Sequence, residues 1–225
     1  MMRHLAWMVD ENSARRPLKS RGTTWAGTCS RVLLRLGLRP NTVSLLSLLF
    51  AAGAGVCLFL TPSLPQFPWI WLVAAACVQI RLLCNLMDGM LAVEGGLKSP
   101  TGELFNELPD RLADALILAP LGYAEGSAAG IALGWAAACG AIGTAYIRAM
   151  GASLTGENDF RGPMAKPHRM ATVTAACIGM LCLEISGQAW PLLFWALVFI
   201  NAGILITGWR RVSRLASNLK SKPSP

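Results

Sequence analysis

Amide and ionisable side chains are expensive inside long apolar helices, so a place where they gather marks a site. Here they gather in two neighbouring stretches: Arg81, Asn85 and Asp88, then Glu103, Asn106, Glu107, Asp110, Arg111 and Asp114. Asn85, Asp88 and Ala92 recur at helical spacing and share one face; Gly102, Asn106, Asp110 and Asp114 share another, one turn apart each time. The connection Val93–Thr101 is short, so two antiparallel helices would bring the stripes together. The product is an oxygen-rich pocket at a membrane face, suited to a hard cation such as Mg²⁺ or Mn²⁺. The competing explanation is a set of interhelical ion pairs, Arg111 with Glu107 among them. Inward oxygen-bearing residues on both adjacent helices favour the pocket.

Six apolar stretches could position these residues, each near the roughly 20 residues a helix needs to cross a bilayer. They run over about 42–61, 69–92, 103–124, 127–150, 170–187 and 190–209. Composition agrees: 54% of the 225 residues are hydrophobic and only 14% charged, with a mean hydropathy of +0.48. A soluble domain carries nearer a quarter charged residues and a disordered chain few apolar ones. Continuous apolar runs, not alternating ones, argue against a membrane barrel. The expectation is an all-α polytopic membrane protein of six transmembrane helices.

Basic residues set the topology. Arg3, Arg15, Arg16, Lys19, Arg21, Arg31, Arg35 and Arg39 precede the first span. Lys98 follows the second, Arg161, Lys166 and Arg169 the fourth, and Arg210, Arg211, Arg214, Lys220 and Lys222 the sixth. The other connections have no Lys or Arg, which predicts both termini cytoplasmic, with a bacterial inner membrane as the expected location. Residues 25–38 predict an interfacial amphipathic helix, with Trp25, Val32, Leu33 and Leu36 on one face and Arg31 and Arg35 elsewhere. The net charge of +8 then points to anionic lipid and the bilayer surface, with no nucleic-acid module in sight. The chain divides into a basic cytoplasmic N-terminus over 1–40, a six-helix transmembrane catalytic domain over 41–210 and a basic cytoplasmic tail over 211–225. Seven cysteines, with no C-x-x-C pair, read as small buried hydrophobes and not as a disulfide framework or zinc site. No apolar core followed by a small-residue cleavage site occurs in the first 40 residues, so no signal peptide is expected.

Asn85, Asp88, Gly89, Ala92 and Val93, then eight residues, then Gly102, Asn106 and Asp110 resemble the signature of the CDP-alcohol phosphotransferase family. That signature is D-x-x-D-G-x-x-A-R, eight residues, G-x-x-x-D-x-x-x-D. The spacing matches throughout, and Asp88, Gly89, Ala92, Gly102 and Asp110 match in identity. Pro40-Asn41-Thr42-Val43-Ser44 at the start of the first span, and Tyr146, Arg148 and Ala149 in the fourth, also look like the family. The resemblance covers about residues 25–210. It implies phospholipid biosynthesis: transfer of a phosphatidyl, or similar substituted phosphate, group from a CDP-linked donor such as CDP-diacylglycerol to an alcohol acceptor, releasing CMP. It also implies two divalent ions, Mg²⁺ or Mn²⁺, held by the four motif aspartates, a homodimer, Asp110 as general base, and Asp88 and Asp110 as metal ligands. Gly89, Ala92, Gly102 and Arg148 would serve the CDP or an acceptor phosphate.

Asn85 and Asn106 depart from the first and third aspartates, and Val93 from the arginine. An amide oxygen can still ligate a cation but adds no charge, and ligand charge tunes affinity. The site therefore holds its ions more weakly, holds one, or recruits compensation from Asp114 and a glutamate. Arg81, one turn before Asn85, is a candidate replacement for the missing arginine. Arg148, Arg161, Lys166, His168 and Arg169 are candidates for an acceptor phosphate. Two other classes stay open: a catalytically silent CDP-lipid-binding or metal-binding relative, motivated by the departures, and a small ion transporter. The gathering of the carboxylates at one membrane face speaks against a transporter.

Overall fold

The structure, a computed structural model, describes residues 24–97, 101–156 and 158–221. The basic residues before Thr24, Lys98 and Lys222 lie outside them. Among the described residues every regular element is helical: α1 Thr24–Arg35, α2 Pro40–Leu60, α3 Ile70–Glu94, α4 Gly102–Glu125, α5 Ala128–Thr155, α6 Lys166–Ser186 and α7 Leu192–Ser221. A single 3₁₀ turn, Thr61–Ser63, closes α2.

Five of these are long and apolar enough to cross a membrane: α2, α3, α5, α6 and α7. α4 has the length, at 24 residues, but Glu103, Glu107, Asp110, Arg111 and Asp114 crowd the part from its start to its middle and take it out of that class. It nevertheless packs into the bundle, against α2 on one side and α5 on the other. The chain is an integral membrane protein whose most polar long helix carries the site.

The packing of α2 departs from the simplest expectation. α3 and α4 make little contact with each other, whereas each packs extensively on α2. The cause is a run of small residues on one face of α2: Ser44, Ser47, Ala51, Ala54 and Gly55 are all buried. A Cβ at Gly55 would run into the backbone carbonyl of Leu116, so only glycine allows this approach. The same device joins α4 to α5, where a Cβ on Gly134 would lie 2.8 Å from the Cα of Gly122. The small-residue stripe is thus spent on packing inside the chain.

The main core runs between the helices through Leu58, Trp71, Ile117, Leu118, Leu121, Met170, Leu197 and Ile200. Large apolar side chains also cover the outside, Leu49, Phe199, Leu205 and Trp209 among them, as expected where hydrocarbon is the solvent. α1 presents three sides, one of them inward. Ala26 and Leu33 pack with Met87, Met90 and Leu91 of α3, Arg31 and Arg35 are exposed, and Trp25, Val32 and Leu36 form an exposed apolar side. Leu33, expected beside Trp25, belongs instead to the side that meets α3.

Two boundaries move. α6 begins at Lys166, four residues earlier than its apolar run, and α7 continues to Ser221, well past residue 209. Residues 211–221 therefore continue α7 as helix.

Candidate functional site

A helix N-terminus favours acids over cations. α6 has no acid in its first turn and opens with Lys166, His168 and Arg169, so partners from elsewhere must hold these charges. α4 supplies them. Lys166 Nζ lies 2.5 Å from Asp110 Oδ1, and Arg169 Nη2 lies 2.6 Å from Asp114 Oδ2.

α3 reaches the same carboxylates from the other side. Arg81, fully buried, donates from Nη2 to Asp114 Oδ1 at 3.2 Å and, at 3.5 and 3.4 Å, to Asp110 Oδ1 and the Asp110 carbonyl. One turn on, Asn85 Nδ2 donates to Asp110 Oδ1 at 2.5 Å. Asp88, one turn further, is buried and accepts at Oδ2 from Ser44 Oγ on α2, 2.7 Å away. Three helices therefore fix the two motif aspartates: Asp88 through α2, Asp110 through α3 and α6.

Of these groups, Asn85, Asp88, Asp110, Lys166 and Arg169 open onto one cavity of about 510 Å³. Asn85, Asp88, Gly89, Asn106 and Asp110 line it from α3 and α4; Arg148 from α5, Lys166 and Arg169 from α6, Arg211 from α7 and Trp25 from α1 complete the wall. Glu107 also lines it and ties two cations, Arg148 Nη2 at 2.6 Å and Arg111 Nη2 at 3.0 Å. Arg148 further donates to Asn158 Oδ1 at 2.9 Å and stands 5.3 Å from the Phe160 ring centroid, a cation–π distance. Arg211 donates to the carbonyls of Thr144 and Arg161. Arg161 and Arg214 both bind Asp159 at 3.1 Å. These contacts fasten the connection between α5 and α6 along the cavity rim.

The structure therefore brings Asn85, Asp88, Gly89, Asn106, Asp110 and Arg148 to one cavity. Ala92 and Gly102 do not line it, and Val93 is exposed away from it. Asp114, expected as an additional metal ligand, has both oxygens taken by guanidinium groups and is a structural counter-ion. Arg81, expected as a replacement for the missing arginine, is sealed behind the cavity wall and faces carboxylates. Of the acceptor-phosphate candidates, Arg148, Lys166 and Arg169 line the cavity; Arg161 turns to Asp159, and His168 is exposed elsewhere. Sequence reasoning missed Ser44 as the partner of Asp88, though Pro40–Ser44 had been singled out. It also read Arg211 as a topology anchor only.

The donor set decides what cation fits. Asp88 and Asp110 are carboxylates, Asn85 and Asn106 amides, and all four line the cavity, which is hard-oxygen chemistry. No group of three His, Cys, Asp or Glu side chains converges among the described residues, and Asp110 Oδ1 already carries an ammonium and an amide. These cavity-lining oxygens fit a hard divalent ion.

A cavity lined by carboxylates, amides and basic groups thus lies within a membrane bundle that is helical throughout its described residues. The profile of the CDP-alcohol phosphatidyltransferase family matches residues 38–209, and the chain belongs to that family. It is 36% identical over 118 residues to a bifunctional IPC transferase and DIPP synthase of Rubrobacter xylanophilus. That match covers 52% of this chain and only 25% of the relative. The fold resembles the phosphatidylinositol phosphate synthase of Mycobacterium tuberculosis with CDP-DAG bound, with a TM-score of 0.68, 20% identity, and coverage of 84% of this chain and 92% of that one. A structure of the same synthase with manganese and citrate matches with the same score and identity, covering 84% and 88%.

Proposed function

We propose that this chain transfers a phosphatidyl, or other substituted phosphate, group from a CDP-linked lipid to an alcohol, releasing CMP, as a step in phospholipid synthesis. The observation that carries this reading is the convergence of Asn85, Asp88, Gly89, Asn106 and Asp110, from two helices, on one cavity. The donor named with the solved relative, a CDP-diacylglycerol, suits a site that hydrocarbon borders and water enters.

In the reaction, the acceptor hydroxyl oxygen bonds to the phosphorus of the donor's substituted phosphate while the bond from that phosphorus to the CMP oxygen breaks. The electron pair leaves on CMP, and the hydroxyl proton passes to Asp110. Among the described residues the side-chain hydrogen bonds to Asp110 fall on Oδ1, which supports Oδ2 as the oxygen that takes the proton on this reading. Lys166, behind the same carboxylate, offsets negative charge on the diphosphate. Asp88, with Asn85 and Asn106, would hold the divalent ion, Mg²⁺ or Mn²⁺; when bound it supplies positive charge against the diphosphate and the departing CMP oxygen. Arg148 and Arg211, on the far wall, suit an acceptor that itself carries a phosphate. On this reading the cavity opens to the cytoplasm of a bacterial inner membrane, with both termini on that side, and the chain works as a homodimer.

The test is CMP release from CDP-diacylglycerol by purified protein in detergent, titrated with Mg²⁺ and Mn²⁺. The acceptors offered are glycerol 3-phosphate, inositol phosphate, serine and glycerol. Metal-dependent release with one acceptor, lost in Asp110→Ala, supports the reading. Binding of the CDP-lipid with no release on any acceptor would replace it with a silent binding protein, the role that two amides in the motif and an ammonium on Asp110 would also suit.

A further inference from the structure

We propose that the Lys166 ammonium takes the place of one of the two divalent cations that a four-aspartate version of this motif would hold, so that this chain binds one divalent ion. The inference rests on the reading of the cavity as a CDP-diphosphate site, and goes beyond it by replacing a metal with a side chain.

Three observations carry it. Two of the four motif positions are neutral, Asn85 and Asn106. The ammonium of Lys166 sits 2.5 Å from Asp110 Oδ1, on an aspartate the motif would give to the cations. Its approach is fixed by the fold and not by a flexible surface side chain: Lys166 is the first residue of α6, and three residues on Arg169 pins the same turn to Asp114 at 2.6 Å.

Charge says which count is tolerated. Four aspartates with two divalent ions sum to about zero before a diphosphate enters, counting integral charges. Here Asp88, Asp110 and Lys166 sum to about −1. One divalent ion brings the set to about +1, two bring it to about +3, and the Arg81–Asp114–Arg169 group beside it adds about one further positive charge. A second dication would enter a site that already repels it, with one oxygen of Asp110 occupied and the Glu107 carboxylate tied to Arg148 and Arg111. The diphosphate, bringing about −2, finds near-neutrality with a single ion.

The experiment counts Mn²⁺ bound per chain at equilibrium, by the electron paramagnetic resonance signal of free Mn²⁺ over purified protein in detergent, with metal alone as probe. Wild type is expected to bind one ion per chain. Lys166→Met, which unblocks Asp110, is expected to bind that ion roughly tenfold more tightly, since a competing cation is gone. Lys166→Met combined with Asn85→Asp and Asn106→Asp is expected to bind two. Lys166→Arg keeps the charge, is the control for folding, and stays at one. Two ions in wild type, none in wild type, weaker or unchanged binding in Lys166→Met, or one ion in the triple variant would each overturn the proposal. The count is independent of turnover. One ion with no CMP release on any acceptor sinks the transferase reading alone, and CMP release with two ions sinks only the replacement of metal by lysine.

Discussion

Asp114→Asn removes a single charge from the centre of the bundle, and the structure sets its cost. The side chains of Arg81, Asp114 and Arg169 are 0%, 1% and 3% exposed, so no solvent can take over what the carboxylate does. Arg81 Nε and Nη1 and Arg169 Nε already lack hydrogen-bond partners among the described residues. An asparagine at 114 offers one neutral acceptor oxygen to two guanidinium groups, so Arg169 is left with the Met164 carbonyl at 3.0 Å and at best a share of that oxygen. Arg81 keeps only its long contacts to Asp110 at 3.4 and 3.5 Å. Breaking a buried pair by removing one partner costs about 3–5 kcal/mol, because the other charge stays behind. For a chain of this size that is a fall in Tm of roughly 6–20 °C.

The assay is thermal unfolding in detergent followed by intrinsic tryptophan fluorescence, on wild type, Asp114→Asn and the apolar triple Arg81→Met, Asp114→Leu, Arg169→Met. The triple removes the charges together with their demand for partners and should recover to within about 2 kcal/mol of wild type. If Asp114→Asn unfolds within a degree or two of wild type, the three side chains are not an interdependent buried group, and the argument that α6 is held by α4 through this carboxylate fails. If the triple is worse than the single change, the cost lies in packing and not in stranded charge.

Three further perturbations test other parts of the structure. Arg148→Ala should raise the acceptor KM about 10- to 100-fold, the equivalent of one charge-assisted hydrogen bond of about 1.5–3 kcal/mol, with Arg148→Lys between; an unchanged KM for every acceptor removes Arg148 from the acceptor site. Gly55→Val should force α2 away from Leu116, lowering stability by about 1–3 kcal/mol and loosening the Ser44–Asp88 contact, read as a lower Tm; an unaltered Tm would mean the helices part freely. Burial pushes the Asp159 carboxyl up, but hydrogen bonds from the Arg161 amide and from the Arg161 and Arg214 guanidinium groups outweigh this and hold it below its ordinary value. Its stabilisation is complete above the unfolded-state value of about 3.9 and is lost as the pH falls through the lower folded value, so wild type should lose more stability than Asp159→Asn between pH 5 and 3, and parallel curves would reject this.

The motif was legible because polar residues at helical spacing are conspicuous in apolar sequence: Asn85, Asp88, Asn106 and Asp110 reach one cavity, as their periodicity implied. What that periodicity could not convey was which neighbours answer them. Arg81 and Arg169 lie 33 and 55 residues from Asp114, and nothing local to either announces the pairing. Charge also has two readings at a membrane face. Lys166, Arg169 and Arg211 serve as well for topology as for binding, and only the fold shows them turned inward. The same ambiguity misplaced two helix ends. Charges after Trp209 and before Met170 looked like the limits of apolar spans, yet Arg, Leu, Ala and Lys are good helix formers, and counter-ions on α4 let the first turn of α6 carry cations.

The two asparagines follow a logic of their own. An aspartate at position 85 would hold a second carboxylate at the 2.5 Å now spanned by the Asn85 Nδ2 contact to Asp110. Two ionised carboxylates cannot share that distance without a cation between them or a proton on one, so a four-aspartate site folds with its carboxylates in mutual repulsion until cations arrive. In this chain the amide donates where a carboxylate would repel, and Lys166 supplies the positive charge from α6. Asp110 is held in place before any ion or nucleotide binds. Preorganisation of that kind trades cation affinity for a site whose shape no longer depends on the metal. The two asparagines and the lysine then make sense as one arrangement: restoring the aspartates while keeping Lys166 would set Lys166 and Arg81 against the returning dications on Asp110, and removing Lys166 while keeping the asparagines would leave Asp110 with the Asn85 amide and the long Arg81 contact.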